Sequence, residues 1–332
     1  MLLRLVCFFL LLAGTSVWGQ DIDPSLLKRF LEAVPQTTKS VERISVRVRW
    51  VSTVDFVVNS KAGEAELRAA GVDPSQKEVG ETAQVAIRGP WGLQVGTTRN
   101  GEYVAAKNGE YAFRINRNAQ LKSYSVEFLE QLGVDPVSDQ RIQATDDAAR
   151  FFVLANWNIA MQPLSRLIKS PFFKIHRISA VPSDTGELVR IEFDHLIDDP
   201  KRKKERFSDA YMLCDPGNGW ALKEYGETAF HGGTNRLIID FGERVNGFPI
   251  PKRVTSLYSL PKESEVTRRT VTTIEVMSQD VPKEEFYLSH YGLPEPKFQR
   301  ASLRRWVWYL SAGVVCLGVA AIIVKRQRAR LA

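Results

Sequence analysis

The 19 residues from Trp306 to Val324 (WVWYLSAGVVCLGVAAIIV) contain no charged side chain. At 1.5 Å per residue a helix of that length reaches roughly 28 Å, close to the hydrocarbon thickness of a bilayer. Trp306, Trp308 and Tyr309 stand at one edge of the run, where aromatic rings favour the headgroup zone. Arg304 and Arg305 precede it, and Lys325, Arg326, Arg328 and Arg330 follow it. This segment is expected to be a transmembrane helix, and a charged tail directly behind it argues against a buried core helix. Basic residues on both flanks leave its orientation to the other end of the chain.

That end begins Met1-Leu-Leu-Arg4, and the run Leu5–Val17 follows without a charge. A short positive region before about 13 apolar residues is the pattern of a secretory signal peptide. Cleavage is expected after Gly19; an uncleaved N-terminal anchor would leave the body on the same side. The expected organisation is a signal peptide over 1–19, an extracytoplasmic domain over 20–291, a tether over 292–305, the span over 306–324 and a cytoplasmic basic tail over 325–332. The expected location is the cell membrane, single-pass, with the bulk of the chain outside the cytoplasm.

The formal charge of +7 and pI near 9.3 suggest nucleic acid until the charges are placed. Seven of the 45 Lys and Arg are Arg4 and the six at or beyond Arg304, which leaves 38 basic residues against 38 acidic ones. A neutral body has no electrostatic footprint for nucleic acid. Cys7 and Cys316 lie in the two terminal apolar runs, so the body keeps Cys214 alone and forms no internal disulfide. Cys214 reads as a small buried apolar residue.

Within the body, Leu26, Leu27, Phe30, Leu31 and Val34 predict a helix over 24–34, opened by Pro24. Ile44, Val46, Val48, Trp50, Val54, Phe56 and Val58 share one parity and predict a long strand with Arg43, Arg47 and Arg49 on its other side. A short helix over 61–70 is followed by strands over 82–88, 91–99, 102–106 and 110–116. Asn100-Gly101 and Asn108-Gly109 supply tight hairpin turns there. Thr145, Asp146 and Asp147 open an expected helix over 145–169, divided at Pro163. Strands are expected over 172–181, 187–196, 207–214, 219–226, 235–242, 248–260, 265–277 and 284–290. This order predicts an α+β domain: a large curved antiparallel sheet, a half-barrel, with covering helices on one face. Two smaller domains divided near residue 140 are the alternative.

Close metal spacings and nucleotide-binding or hydrolase motifs are missing, so neither a cofactor nor an enzymatic activity is expected. Asp194-His195-Leu-Ile-Asp198-Asp199 is the densest polar cluster and a possible polar site, an oxygen-rich cation site or an acid/base pair, or else the end of a strand entering a charged loop whose basic run Lys201-Arg-Lys-Lys-Glu-Arg206 balances the acids. A hydrolase built on it is the remaining enzymatic alternative. Trp50, Trp91, Phe113, Phe151, Phe152 and Trp157 are candidates either to line a ligand cavity between sheet and helix or to pack a filled core.

Asn235-Arg-Leu-Ile-Ile-Asp-Phe241, Asn246-Gly-Phe-Pro-Ile-Pro-Lys-Arg253, the strand Val271–Val276 and Val281-Pro-Lys-Glu-Glu-Phe286 follow one another. This ending resembles the closing strands of LolA-like lipoprotein-carrier domains, where a G-x-P-x-P turn leads into long paired strands and a final P-x-x-x-F. The stretch through Tyr291 and Pro296 into one anchor also resembles anchored bacterial proteins. The resemblance implies a half-open barrel that holds lipid acyl chains or senses lipoproteins. The anchor departs from the soluble carriers and from a shuttle role. The expected function is thus a membrane-anchored extracytoplasmic binding or sensing protein, with membrane and lipid or lipoprotein as partners. A scaffolding partner of an envelope protein complex is the alternative.

Overall fold

The computed structural model describes residues 22–56, 68, 78–98, 101–118, 123–133, 150–151, 153–159, 162–184, 186–197, 205–229, 232–261 and 265–298. Residues up to Leu293 belong to one compact unit, described below.

Helix α1 (Pro24–Val41) starts where Asp23 caps it: its Oδ1 accepts from the backbone N–H of Ser25 at 2.8 Å and of Leu26 at 3.2 Å. Leu26, Phe30, Val34, Thr37 and Val41 form its buried stripe. The helix runs seven residues past the predicted end, through Pro35. Packing beyond the proline holds it: Thr37 Oγ1 donates to Gly219 O at 2.8 Å, and Val41 is buried.

Strands follow at β1 (Ser45–Phe56), β2 (Glu78–Arg88), β3 (Trp91–Thr98), β4 (Gly101–Lys107), β5 (Tyr111–Asn118) and β6 (Tyr124–Gln131). After two short paired pieces, β7 (Asn158–Ile159) and β8 (Gln162–Pro163), and the single-turn helix α2 (Leu164–Leu167), seven more strands complete the sheet. They are β9 (Lys174–Ser183), β10 (Gly186–Ile197), β11 (Glu205–Asp215), β12 (Ala221–Thr228), β13 (Thr234–Val245), β14 (Phe248–Ser259) and β15 (Arg268–Ser278). The 13-stranded sheet has the order β6-β5-β4-β3-β2-β1-β15-β14-β13-β12-β11-β10-β9. Two hairpin meanders are thus joined through the β1–β15 pair, and the strands before and after residue 140 share one sheet. Asn246 and Gly247 turn β13 into β14 with φ of 50° and 80°, the left-handed geometry a tight hairpin requires. The Asn246 amide also donates to Arg43 O at 3.0 Å, fixing that turn to the end of α1.

The sheet bends around α1. Ile22, just before the helix, bridges Ile178 of edge strand β9, and Ile44, just after it, leads into β1. Seven strand spacings separate β9 from β1, about 34 Å along the sheet. The 18-residue helix that crosses them is about 27 Å long. A chord shorter than its arc requires curvature. The concave face carries Val46, Val48, Trp50, Val85, Ile87, Ile191, Met212, Ile239 and Ile274 against α1 and residues 153–159 and 164–167.

The opposite face of the N-terminal strands holds a second apolar cluster. Leu93, Val104, Ala106, Tyr111, Phe113 and Ile115 are buried there, and so are Val281, Phe286 and Leu288 of the segment after β15. That segment folds as two 3-10 turns, Lys283–Phe286 and Leu288–Tyr291, where a strand over 284–290 was expected. Polar contacts fasten it: Arg47 to Glu285, Arg88 to Val281 O, the Asn108 amide to Phe286 O at 3.0 Å, and Leu288 N–H to the Tyr111 hydroxyl at 3.1 Å.

The α+β class is therefore corrected. The described chain is mostly one antiparallel sheet of 13 strands, and its α-helices are α1 and the four-residue α2. The helix expected over 145–169 is kept in part: residues 150, 151 and 153 are helical and α2 follows Pro163, but a 3-10 turn (Ala155–Trp157) and the strand piece β7 stand between them. Residues 153–159 are buried without interruption, which matches a segment enclosed on all sides and not one stripe of a 3.6-residue period. Among the described residues no helix is long and apolar enough to cross a membrane. The expected signal peptide over 1–19 and span over 306–324 lie outside the described residues, as does nearly all of the helix expected over 61–70.

Candidate functional site

Antiparallel register decides which side chains share a row across the concave face. Ile239, Val254, Thr272 and Ser52 form one row, closed by a buried Ser52–Thr272 hydroxyl pair at 3.0 Å. Two residues toward the rim, the row is Tyr225, Leu237, Ser256 and Thr270. At the rim it is Glu227, Asn235, Tyr258 and Arg268. Arg268 is exposed, with its guanidinium carbon 5.4 Å from the Tyr258 ring centroid. The concave face therefore changes from apolar beside α1 to hydrogen-bonding and charged at one end.

His195 closes that end on β10. Val189, Ile191, Phe193 and His195 share the inward parity, so an imidazole takes the last place in an apolar row. Its side chain is 1% exposed and lies flat on Phe207, with centroids 4.7 Å apart and planes 5° apart. Phe193 stands at 5.7 Å on another side. Neither ring nitrogen has a hydrogen-bond partner. The nearest acid is Glu227, whose Oε2 is 4.0 Å from Nε2, beyond hydrogen-bond reach. Glu227 itself accepts from the Tyr225 hydroxyl and is hydrogen-bonded by the Asn235 side chain.

Burial drives both groups toward their neutral forms. Desolvation lowers His195 from 6.5 to about 4, with the Asp194 charge pulling the other way. Desolvation raises Glu227 from 4.5 to about 7 against the Asn235 hydrogen bond. The consequences for stability have opposite signs. The folded state refuses a proton at His195 that the unfolded chain accepts, so stability is lost as pH falls from 6.5 toward 4. It keeps a proton on Glu227 that the unfolded chain releases, so stability is lost as pH rises from 4.5 toward 7. Thermal unfolding of His195→Phe is expected to show Tm falling as pH rises through the second window. Glu227→Gln is expected to show Tm falling as pH drops through the first, and the unsubstituted chain to be flatter than either. Parallel slopes in the two variants would contradict the assignment.

The structure separates the residues that the sequence placed together. His195 faces the concave interior, whereas Asp194 faces out and pairs there with His176, at 3.2 Å from Nε2. Strand alternation puts adjacent residues on opposite faces, so the two do not form one acid/base site. Asp198 lies outside the described residues. Trp50 and Trp157 belong to the concave core, at 3% and 1% exposure. Trp91 and Phe113 belong to the opposite face, where Trp91 meets Phe286 at 5.6 Å and Phe113 meets Tyr291 at 6.0 Å. Phe151 is half-buried, and Phe152 lies outside the described side chains. The candidates thus divide between two faces of the sheet and do not line one space. Cys214 is fully buried, and burial pushes its thiol upward, away from the reactive thiolate. Among the described residues no group of three or more metal-ligating side chains comes together.

Glu227, Asn235, Tyr258 and Arg268 are site residues the sequence reading missed. The available signal was parity: Tyr225 and Glu227 share a face in an alternating strand. The row itself is assembled by register across four strands.

One open groove of about 500 Å³ lies on the other side of the molecule, lined by Arg117, Ser123, Tyr124, His290, Tyr291, Gly292 and Leu293. Arg117 covers the Tyr124 ring at 5.7 Å, and the Tyr124 hydroxyl is held by Glu102.

No family model matches the sequence, and no curated protein matches it. Among solved structures the chain is similar to a DUF1329 family protein from Desulfovibrio piger. The two are 7% identical, the match covers 78% of this chain and 96% of that chain, and the TM-score is 0.41.

Proposed function

We propose that this chain is a membrane-anchored extracytoplasmic binding domain, and that the concave face of its sheet receives the acyl chain of a lipid or lipoprotein. The anchor in this reading is the uncharged run 306–324, and export follows from the N-terminal apolar run. The observation that carries it is the gradient along the concave face. Apolar rows of β1, β10, β13 and β15 end at a rim bearing Glu227, Asn235, Tyr258 and Arg268. An acyl ligand has the same division, with a long apolar tail and a polar head.

Residues 153–159 occupy the concave side beside α1 and support this reading. After the helical Val153 they form a 3-10 turn (Ala155–Trp157) and a two-residue strand. Trp157 Nε1 and Asn156 Oδ1 are buried there without hydrogen-bond partners, although the Asn156 amide donates to Pro249 O at 2.7 Å. Displacing this segment exposes its buried side chains, and relief of its unmet polar groups offsets part of that cost. In the proposal it fills the groove when no ligand does.

Photolabelling tests the reading. The full chain is placed in lipid nanodiscs containing a lipid with a diazirine on its acyl tail, irradiated, and mapped by peptide mass spectrometry. Labels on concave-face residues of β10–β15, in addition to residues 306–324, are the expected result. Labels confined to 306–324 would overturn acyl binding by the folded domain.

A further inference from the structure

The groove beside the last 3-10 turn lies where the folded unit ends, on the face of the sheet opposite to α1. Its floor is two tyrosine rings. Tyr124 and Tyr291 meet edge-on at 5.5 Å, and the buried Phe113 packs against Tyr291. Both hydroxyls are engaged: Tyr291 donates to Glu285 O at 3.0 Å, and Tyr124 donates to Glu102. Three exposed polar side chains stand around this floor. Arg117 covers the Tyr124 ring, Ser123 precedes Tyr124, and His290 stands edge-on to Tyr291 at 5.0 Å. The turn Leu288–Tyr291 stops at Gly292, whose φ of 73° is left-handed, and Leu293 N–H donates back to Leu288 O at 3.2 Å. That closure places His290 at the groove.

This rim has the chemistry to hold an anion. A guanidinium resting on an aromatic ring keeps its edge donors for a bidentate contact with phosphate. A serine hydroxyl donates, and an imidazole carries an N–H donor in either protonation state. Residues 119–122, which join Asn118 to Ser123, are Ala, Gln, Leu and Lys, so the sequence there adds a base and no acid. An apolar side chain lies beside the groove on the same face. Val126 pairs with Ile115 as Tyr124 pairs with Arg117, and Val126 is 49% exposed. Cation, tyrosine and exposed aliphatic together fit the headgroup zone of a bilayer. The position along the chain names the source of the anion. Only 12 residues, 294–305, separate Leu293 from Trp306, a reach of about 40 Å at most. A tether of that length holds the groove at a high effective concentration of head groups, so even a weak contact is populated.

We propose that this groove receives the phosphate of an anionic phospholipid head group and docks the domain against the bilayer that carries its anchor. Arg117 takes the phosphate oxygens, Ser123 and His290 donate beside it, and Val126 meets the lipid surface. The docking rests on the anchored reading above and is independent of acyl binding by the concave face.

Hydrogen exchange read by mass spectrometry tests it, with the full chain in nanodiscs of phosphatidylcholine alone or of phosphatidylcholine mixed with phosphatidylglycerol. The amides of His290, Gly292 and Leu293 are the reporters, since each bonds within the last turn. With phosphatidylglycerol present they are expected to exchange about tenfold more slowly, the worth of one charge-assisted hydrogen bond. Amides of β1 and β15 are expected to be unchanged and serve as the control for folding. The double variant Arg117→Gln, His290→Ala is expected to abolish the difference, and Arg117→Lys, which keeps the charge, to keep one. No difference between the two nanodiscs, or a difference that survives the double variant, would overturn the docking and leave the anchor standing. The same slowing produced by inorganic phosphate in phosphatidylcholine nanodiscs would make the groove a site for free anions and overturn docking to lipid. Release of the chain from the nanodiscs by carbonate would overturn the anchored reading, and the docking with it.

Discussion

Replacing Trp157 with alanine is expected to lower the unfolding free energy by about 3–5 kcal/mol, the cost of deleting a fully buried indole. The ring is 1% exposed and meets Phe248 edge-on at 6.0 Å and 85°. Its neighbours come from several elements, with α1, α2 and strands β10–β14 all contributing to the same core, so no single side chain can close the gap. Trp157→Phe supplies the contrast. It retains most of the ring, and it removes a buried Nε1–H that has no partner. Its expected cost is less than half that of alanine, because part of the lost packing is offset by relief of the unmet donor. Urea unfolding followed by circular dichroism decides the order. Equal costs for the two variants would show that the indole N–H makes an essential bond.

Phe286→Ala is expected to cost a similar amount, about 3–5 kcal/mol, by a different route. Phe286 is fully buried against Trp91, on the face of the sheet opposite to α1. It is the apolar centre of the segment that also carries the Glu285 pairing with Arg47 and the Leu288 contact with Tyr111. Its loss is expected to expose Trp91 and shift tryptophan emission to the red before the sheet unfolds. The two clusters share no side chain that both substitutions would touch. A Trp157→Ala, Phe286→Ala double variant should therefore sum the single effects to within about 0.5 kcal/mol. Strong non-additivity would mean that the sheet transmits strain between its faces.

The strands were legible because alternation and hairpin turns are local. β1 through β5 and β9 through β15 were each expected within a few residues of where they lie, since a half-buried strand repeats every second residue. The segment 145–169 was misread over Ala155 to Ile159 for the same kind of reason. Its apolar residues are dense enough to fit a helical stripe, but helices, strands and turns enclosed on every side all read as apolar runs. The segment 284–290 was misread because Phe286 and Leu288 are spaced like a strand while they serve as anchors of two 3-10 turns. His195 was picked out from its neighbours in sequence, yet its partner Glu227 is 32 positions away and arrives only when β10, β11 and β12 pair.

Residue order alone determined which stretches of this protein become strands and where hairpins turn, because those preferences act over two to four neighbouring peptides. Which face each strand shows to the interior, that the sheet carries apolar clusters on both sides, and that a histidine and a glutamate meet without touching were decided by pairing and curvature. Those outcomes depend on side chains brought together across strands, and their free energy appears only after the chain has closed on itself.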